Sequence, residues 1–149
     1  MLQLFEYELP FRSAFKTGSS VFKDRKGILL HYKNDAIDIV TEASPLPGFS
    51  NESFEEVRRA LLNQKEGIEE FLTDDITLQK IRNLDNDKRL NAPSIQFALS
   101  YLSLFILAEK KGKTIFDLFK TIPANSIQVN AVVGHGSIKK MELQILDSI

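Results

Sequence analysis

The sequence contains no cysteine and no tryptophan, and only two histidines, His31 and His135. The missing cysteines exclude disulfides, thiolate metal sites and a cysteine nucleophile, and they leave the redox compartment open. Two histidines are too few for a histidine-rich metal cluster. An excess of charge is missing too. Lys and Arg number 19 against 20 Asp and Glu, so the net charge is −1. That balance gives no electrostatic footprint for nucleic acid or an anionic membrane surface. No long hydrophobic run is present. The most apolar window, residues 101–108, is interrupted by Ser103 and falls far short of the roughly 20 residues that span a bilayer. Met1-Leu2-Gln3-Leu4-Phe5-Glu6-Tyr7 carries an acid and neither the basic nor the apolar region of a signal peptide. The expectation is a soluble, cytoplasmic protein with no nucleic-acid or membrane partner.

What is there builds a core. Apolar residues make up 43% of 149 residues, enough for one packed domain, or one domain and a piece of a second. The first third has strand character. Leu2, Leu4, Phe5, Tyr7, Leu9 and Phe11 predict a strand that ends near Pro10. Gly27-Ile28-Leu29-Leu30-His31-Tyr32 predicts a second. Lys33-Asn34-Asp35 is a turn, because Asn and Asp tolerate the dihedrals of a tight reversal. A third strand follows over residues 36–43, with Ile37, Ile39 and Thr41 alternating against Asp38, Val40 and Glu42. So short a turn makes these two strands antiparallel, and a three-stranded meander is expected.

Ser44-Pro45-Leu46-Pro47-Gly48-Phe49-Ser50 breaks the pattern. Two prolines and a glycine in seven residues neither extend a strand nor start a helix, so this is a shaped loop. Helices come next. Ser53-Phe54-Glu55-Glu56 fits a capping box. Phe54, Val57, Leu61 and Leu62 then recur at helical spacing, and Ile68, Phe71 and Leu72 continue it. A second helix is expected from Thr73 or Asp74, carrying Ile76, Leu78, Ile81 and Leu84. Pro93 suits the first turn of a third. That helix is apolar on nearly every side over residues 95–108, which predicts full burial. Lys110-Lys111-Gly112 ends it, and Thr114 caps a short one through Leu118 and Phe119.

The end of the chain changes again. Ile127-Gln128-Val129-Asn130-Ala131-Val132-Val133 predicts a strand, Gly134-His135-Gly136 a short loop, and Ser137 the cap of a helix bearing Ile138, Met141, Ile145 and Leu146. A strand followed by a helix is half a βα repeat, and this strand has no evident partner in the meander. No carboxylate pair stands out as a site. Asp74-Asp75 and Asp85 with Asp87 read as helix caps and solvated loop residues.

The order of segments resembles the enolase superfamily and, within it, the o-succinylbenzoate synthases. Pro10-Phe11-Arg12, Phe15-Lys16-Thr17-Gly18 and Arg25-Lys26-Gly27-Ile28-Leu29-Leu30 fall at the expected distances. Glu42-Ala43-Ser44-Pro45-Leu46-Pro47-Gly48-Phe49-Ser50 is the specific part, close to a Gly-Glu-Ala-Ser-Pro-Leu-Pro-Gly-Phe-Ser pattern, with Thr41 in place of the first glycine. Pro93-Ser94, Lys111-Gly112-Lys113-Thr114 and Ile127-Gln128-Val129-Asn130-Ala131 also fall in order.

The resemblance implies an α+β capping domain over residues 1–123, a three-stranded meander followed by a helical bundle. Residues 124–149 would be the first strand and helix of an incomplete (β/α) barrel, since a closed barrel takes roughly 250 residues. It further implies a magnesium-dependent lyase of menaquinone biosynthesis acting on a small carboxylate substrate, 2-succinyl-6-hydroxy-2,4-cyclohexadiene-1-carboxylate. A lysine base and a magnesium-held enediolate are the chemistry of this superfamily. Its catalytic lysines and metal ligands would lie beyond Ile149, so the chain alone is expected to be inactive. What the chain supplies, on this resemblance, is two substrate-facing loops: Lys16, Thr17, Gly18, Ser19 and Ser20 in one, and Leu46, Gly48 and Phe49 in the other. The alternative for Phe49 is a hydrophobic staple on the following helix.

Other residues read as structural. Arg12 and Arg25 are expected to pair with an acid such as Glu42. His31 reads as an edge-strand side chain and Asn130 as structural, while His135 would sit at the end of the barrel strand where substrates bind. Muconate cycloisomerases, dipeptide epimerases and N-succinylamino acid racemases share the scaffold, and fold does not choose between them. The rival from another class is a stand-alone, non-catalytic binding module. A barrel-facing surface left bare is apolar, so homo-oligomerisation or aggregation of the isolated chain is expected.

Overall fold

The computed structural model describes residues 1–16, 21–86, 90–128 and 136–146, apart from the side chains at 13, 15, 16, 85 and 144. Three strands come first: β1 (Leu2–Lys16), β2 (Val21–Lys33) and β3 (Asp38–Ala43). They form one sheet in the order β1-β2-β3. Five helices follow: α1 (Phe54–Thr73), α2 (Leu78–Arg82), α3 (Pro93–Lys110), α4 (Ile115–Leu118) and α5 (Ile138–Leu146), with a 3-10 turn at Asn83–Asn86 after α2. Among the described residues, no helix is long and apolar enough to cross a membrane.

β2 and β3 pair antiparallel, with Ile28 opposite Ala43, Leu30 opposite Thr41 and Tyr32 opposite Ile39. The period-2 rule puts Ile28, Leu30 and Tyr32 on the buried face. Asn34 builds the turn as expected, its Oδ1 accepting from the amides of Ala36 at 2.9 Å and Ile37 at 2.8 Å. β1 does not stop near Pro10 but runs on to Lys16. It is an edge strand, where a residue lacking an N–H need not break a ladder. β2 likewise starts at Val21, six residues before the apolar run that announced it. His31 is not on an edge, because β2 is the central strand.

α1 starts at the Ser53–Glu56 capping box and runs through Gly67 to Thr73. Val57, Leu61, Ile68 and Leu72 form its buried stripe, whereas Leu62, one position off the stripe, is half exposed. Asp74 does not start the second helix; it is the C-cap of α1, and Thr77 caps α2, its side chain accepting from Lys80 N. Ile76 is buried in the connection between them.

α3 has Pro93 in its first turn and ends at Lys110, with Lys111 as its C-cap and Gly112 at φ +59° just beyond. It is not buried on every side. Ile95, Leu99, Leu102 and Ile106 are sealed in, but Phe97, Tyr101 and Phe105 are exposed. Their i, i+4, i+8 spacing stacks them on one face, with ring centroids 4.9 Å and 5.9 Å apart. The core gathers Leu61 and Leu72 of α1, Leu99 and Leu102 of α3, and Leu2, Ile28 and Leu30 of the sheet. Each such side chain contributes about 1.5–3 kcal/mol of burial.

The chain divides into two compact units, Met1–Glu8 with Lys26–Ile122, and Leu9–Arg25 with Pro123–Ile149. The first holds the sheet's paired β2–β3 end and the helices α1 to α4. In the second, Ser137 begins α5 as expected, its hydroxyl 3.4 Å from the Lys140 amide that donates to it. Most of the strand expected over residues 127–133, together with Asn130 and His135, lies outside the described residues.

Candidate functional site

The segment between β3 and α1 is a closed turn. The amides of Phe49 and Ser50 both donate to the Leu46 carbonyl, at 3.0 Å and 2.8 Å. The Leu46 amide donates in return to Ser50 Oγ at 2.9 Å. Gly48 sits at φ +78°, in the left-handed region that a side chain disfavours. Proline at 45 and 47 restricts the rest. Pro45 is buried and Leu46 half-buried, while Gly48 and Phe49 face outward. Phe49 is 69% exposed, so it is not the staple on α1 that its position allows. The turn holds an apolar ring in the open.

Two clasps hold the turn from outside. At its start, the Tyr7 hydroxyl of β1 donates to Glu42 Oε1 of β3 and lies 3.0 Å from Ser44 Oγ. Ser44 Oγ in turn donates to the Lys26 carbonyl of β2 at 3.0 Å. Tyr7 reaches this position across Gly27. A Cβ at residue 27 would lie 2.6 Å from Cε1 and Cζ of Tyr7. Glu42 thus has the Tyr7 hydroxyl as a hydrogen-bond donor. At the turn's end, Glu52 Oε1 accepts from the Ser94 amide in the first turn of α3, at 3.0 Å. Glu52 Oε2 and Ser94 Oγ are buried with no hydrogen-bond partner among the described residues. Burial pushes the Glu52 carboxyl up. Hydrogen bonding by backbone amides, that of Ser94 first, outweighs this and leaves it below the ordinary range.

Four other carboxylates make structural contacts. Lys33 and His31 hold the Asp38 carboxyl below its ordinary value, with His31 Nε2 at 2.6 Å. Lys80 does the same for Asp74 at 2.7 Å. The Ser53 amide lowers Glu56, and the Thr114 amide lowers Asp117, each within a capping box. Among the described residues, no three His, Asp or Glu side chains gather as a metal site. The described residues therefore offer no donor set for a magnesium ion.

The structure brings Leu46, Gly48 and Phe49 together on one turn. Lys16 is the last residue of β1, and its side chain, with Thr17, Gly18, Ser19 and Ser20, lies outside the described residues. Sequence reading missed Tyr7, Gly27 and Glu52. The one available signal was a glycine inside a strand, which marks a close approach of some other group. Nothing local points from residue 7 to residue 42, or from 52 to 94.

A three-stranded antiparallel sheet followed by a helical bundle is the capping-domain architecture of the enolase superfamily. The chain superposes on a magnesium-complexed mandelate racemase/muconate lactonizing enzyme-type protein from Roseovarius nubinhibens ISM, with a TM-score of 0.69 and 16% identity. A member of the enolase superfamily from Listeria innocua Clip11262 gives 0.70 and 21%. Both superpositions cover 99% of this chain and 40% of the other. Residues 1–105 match the family described as MenC, N-terminal domain, and the chain belongs to that family. It is also similar to the o-succinylbenzoate synthase of Klebsiella pneumoniae (strain 342), 35% identical over 60 residues, which are 40% of this chain and 19% of that one.

Proposed function

We propose that this chain is the N-terminal part of an o-succinylbenzoate synthase-like lyase of menaquinone biosynthesis. Residues 1–123 are the cap, and residues 124–149 open a barrel. The cap contributes specificity and no reacting group. Its turn at residues 44–50 faces the substrate's ring and succinyl portion and keeps water away. Lys16, Thr17, Gly18, Ser19 and Ser20 are assigned to substrate binding on the resemblance alone. Any magnesium is held by residues outside those described. The observation that carries this reading is Phe49, an apolar ring kept 69% exposed on a turn closed by three hydrogen bonds. Exposing such a ring is unfavourable by itself, and a substrate to cover it accounts for the arrangement.

The test begins with the reading frame downstream of Ile149. Continuation into a barrel with its lysine and acidic strands leads to a dehydration assay on the complete enzyme. There Phe49→Ala is expected to raise KM with a smaller change in kcat, because it removes binding shared by ground and transition states. A stop codon directly after Ile149 sinks the lyase reading and leaves a non-catalytic binding module.

A further inference from the structure

The closed turn fixes its own shape, but its internal hydrogen bonds do not fix where Phe49 points. A seven-residue turn hinged freely at both ends would fold its ring inward, since burying a phenylalanine is favourable. Phe49 stays exposed, and the contacts outside the turn account for that. Its start is tied to the sheet through Ser44, which touches the Tyr7 hydroxyl of β1 and the Lys26 carbonyl of β2. Its end is tied to the bundle through Glu52, which grips the α3 amide of Ser94 from 42 residues away. Ser53 then starts α1 at once. The two ties use different elements, so loss of one leaves the other as a pivot.

We infer that Tyr7 and Glu52 are positioning residues that together aim the Phe49 turn. The substrate-facing part of this inference rests on the proposed function; the mechanical part does not. Tyr7 is fitted for the task by Gly27, whose missing side chain makes room for its ring. The hydroxyl does the tying, and the ring supplies the reach.

The 149-residue chain itself is the sample for the first test, amide hydrogen exchange. Tyr7→Phe keeps the ring over Gly27 and removes the hydroxyl. The expected result is exchange about tenfold faster at the amides of Phe49 and Ser50, the effect of losing roughly one net hydrogen bond on a local opening. The α1 and α3 cores should be unchanged. Glu52→Ala should act alike, while Glu52→Gln, which keeps an acceptor for Ser94, should restore protection. Unchanged exchange at Phe49 and Ser50 in both Tyr7→Phe and Glu52→Ala overturns the inference. So does acceleration spread equally over α1 and α3, which would make these residues general props.

Steady-state kinetics of the complete enzyme separates the two readings. Tyr7→Phe should raise KM and leave kcat within about twofold, with no further effect in a Phe49→Ala background. If Phe49→Ala leaves KM unchanged while the exchange result holds, the turn is aimed but not at substrate, and the proposed function fails alone.

Discussion

The two long helices of the bundle begin in opposite ways. α1 caps itself. Ser53 accepts from the Glu56 amide at 3.3 Å, and Glu56 returns to the Ser53 amide at 2.7 Å, all within four residues. α3 has no side-chain cap of its own at Ala92. Pro93 disposes of one orphan N–H, and Glu52, the residue before the α1 cap, satisfies Ser94. A self-capped helix can be read, and can form, locally. A helix with a borrowed cap is tied to the lender, so the start of α3 is held to the segment that follows the turn at residues 44–50.

That contrast can be stressed by substitution. The largest effect should come where the helices do not differ, in the core they share. Leu61→Ala and Leu99→Ala are each expected to cost about 2–5 kcal/mol in urea unfolding, while Leu62→Ala on the exposed face stays within about 0.5 kcal/mol. Equal costs at positions 61 and 62 would contradict the burial described. Next, Gly27→Ala forces Tyr7 out of place and should cost about 1–3 kcal/mol as overpacking. A thermal melt checks it, and Tyr7→Ala in the same chain should recover part of the loss.

Cap removal divides the two helices. Ser53→Ala should cost about 1 kcal/mol and leave the turn ordered. Glu52→Ala should cost a similar amount and also release the amides of Phe49 and Ser50. Chemical denaturation paired with hydrogen exchange distinguishes the pair. Loss of turn protection in both would erase the distinction between local and borrowed caps.

The smallest effect is acid dependence. Glu52 and Glu56 are both held below the ordinary carboxylate range in the fold. A depressed folded value means that the unfolded chain takes up the proton first. Stability from these groups is therefore complete above the ordinary range and lost as the pH falls below about 4 towards the folded values. Glu52→Gln should flatten the acid side of a Tm against pH curve, as should Ser53→Ala through Glu56.

Local chemistry was readable from the sequence, and contacts across it were not. The Ser53–Glu56 and Thr114–Asp117 boxes, the Asn34 turn and the Gly112 terminus each depend on residues a few positions apart. The length of β1 was hidden, because Pro10 reads as a stop unless the strand is known to be an edge. α3 misled for another reason. Phe97, Tyr101 and Phe105 count as apolar in any pattern, so a helix with one open aromatic face reads as buried all round. The site divided along the same line. The turn announces itself through Pro45, Pro47 and Gly48, whereas its clasps join residue 7 to 42 and 52 to 94.

The Tyr7–Gly27 contact has a consequence for how this sequence can drift. With Tyr at position 7, a residue with a Cβ at position 27 meets its ring at once. The two positions are free to change only in concert, across neighbouring strands. Among relatives that keep this sheet, a large ring at the first should travel with glycine at the second. A bulkier residue at the second should be found with a small one at the first, and with some other device at the start of the turn.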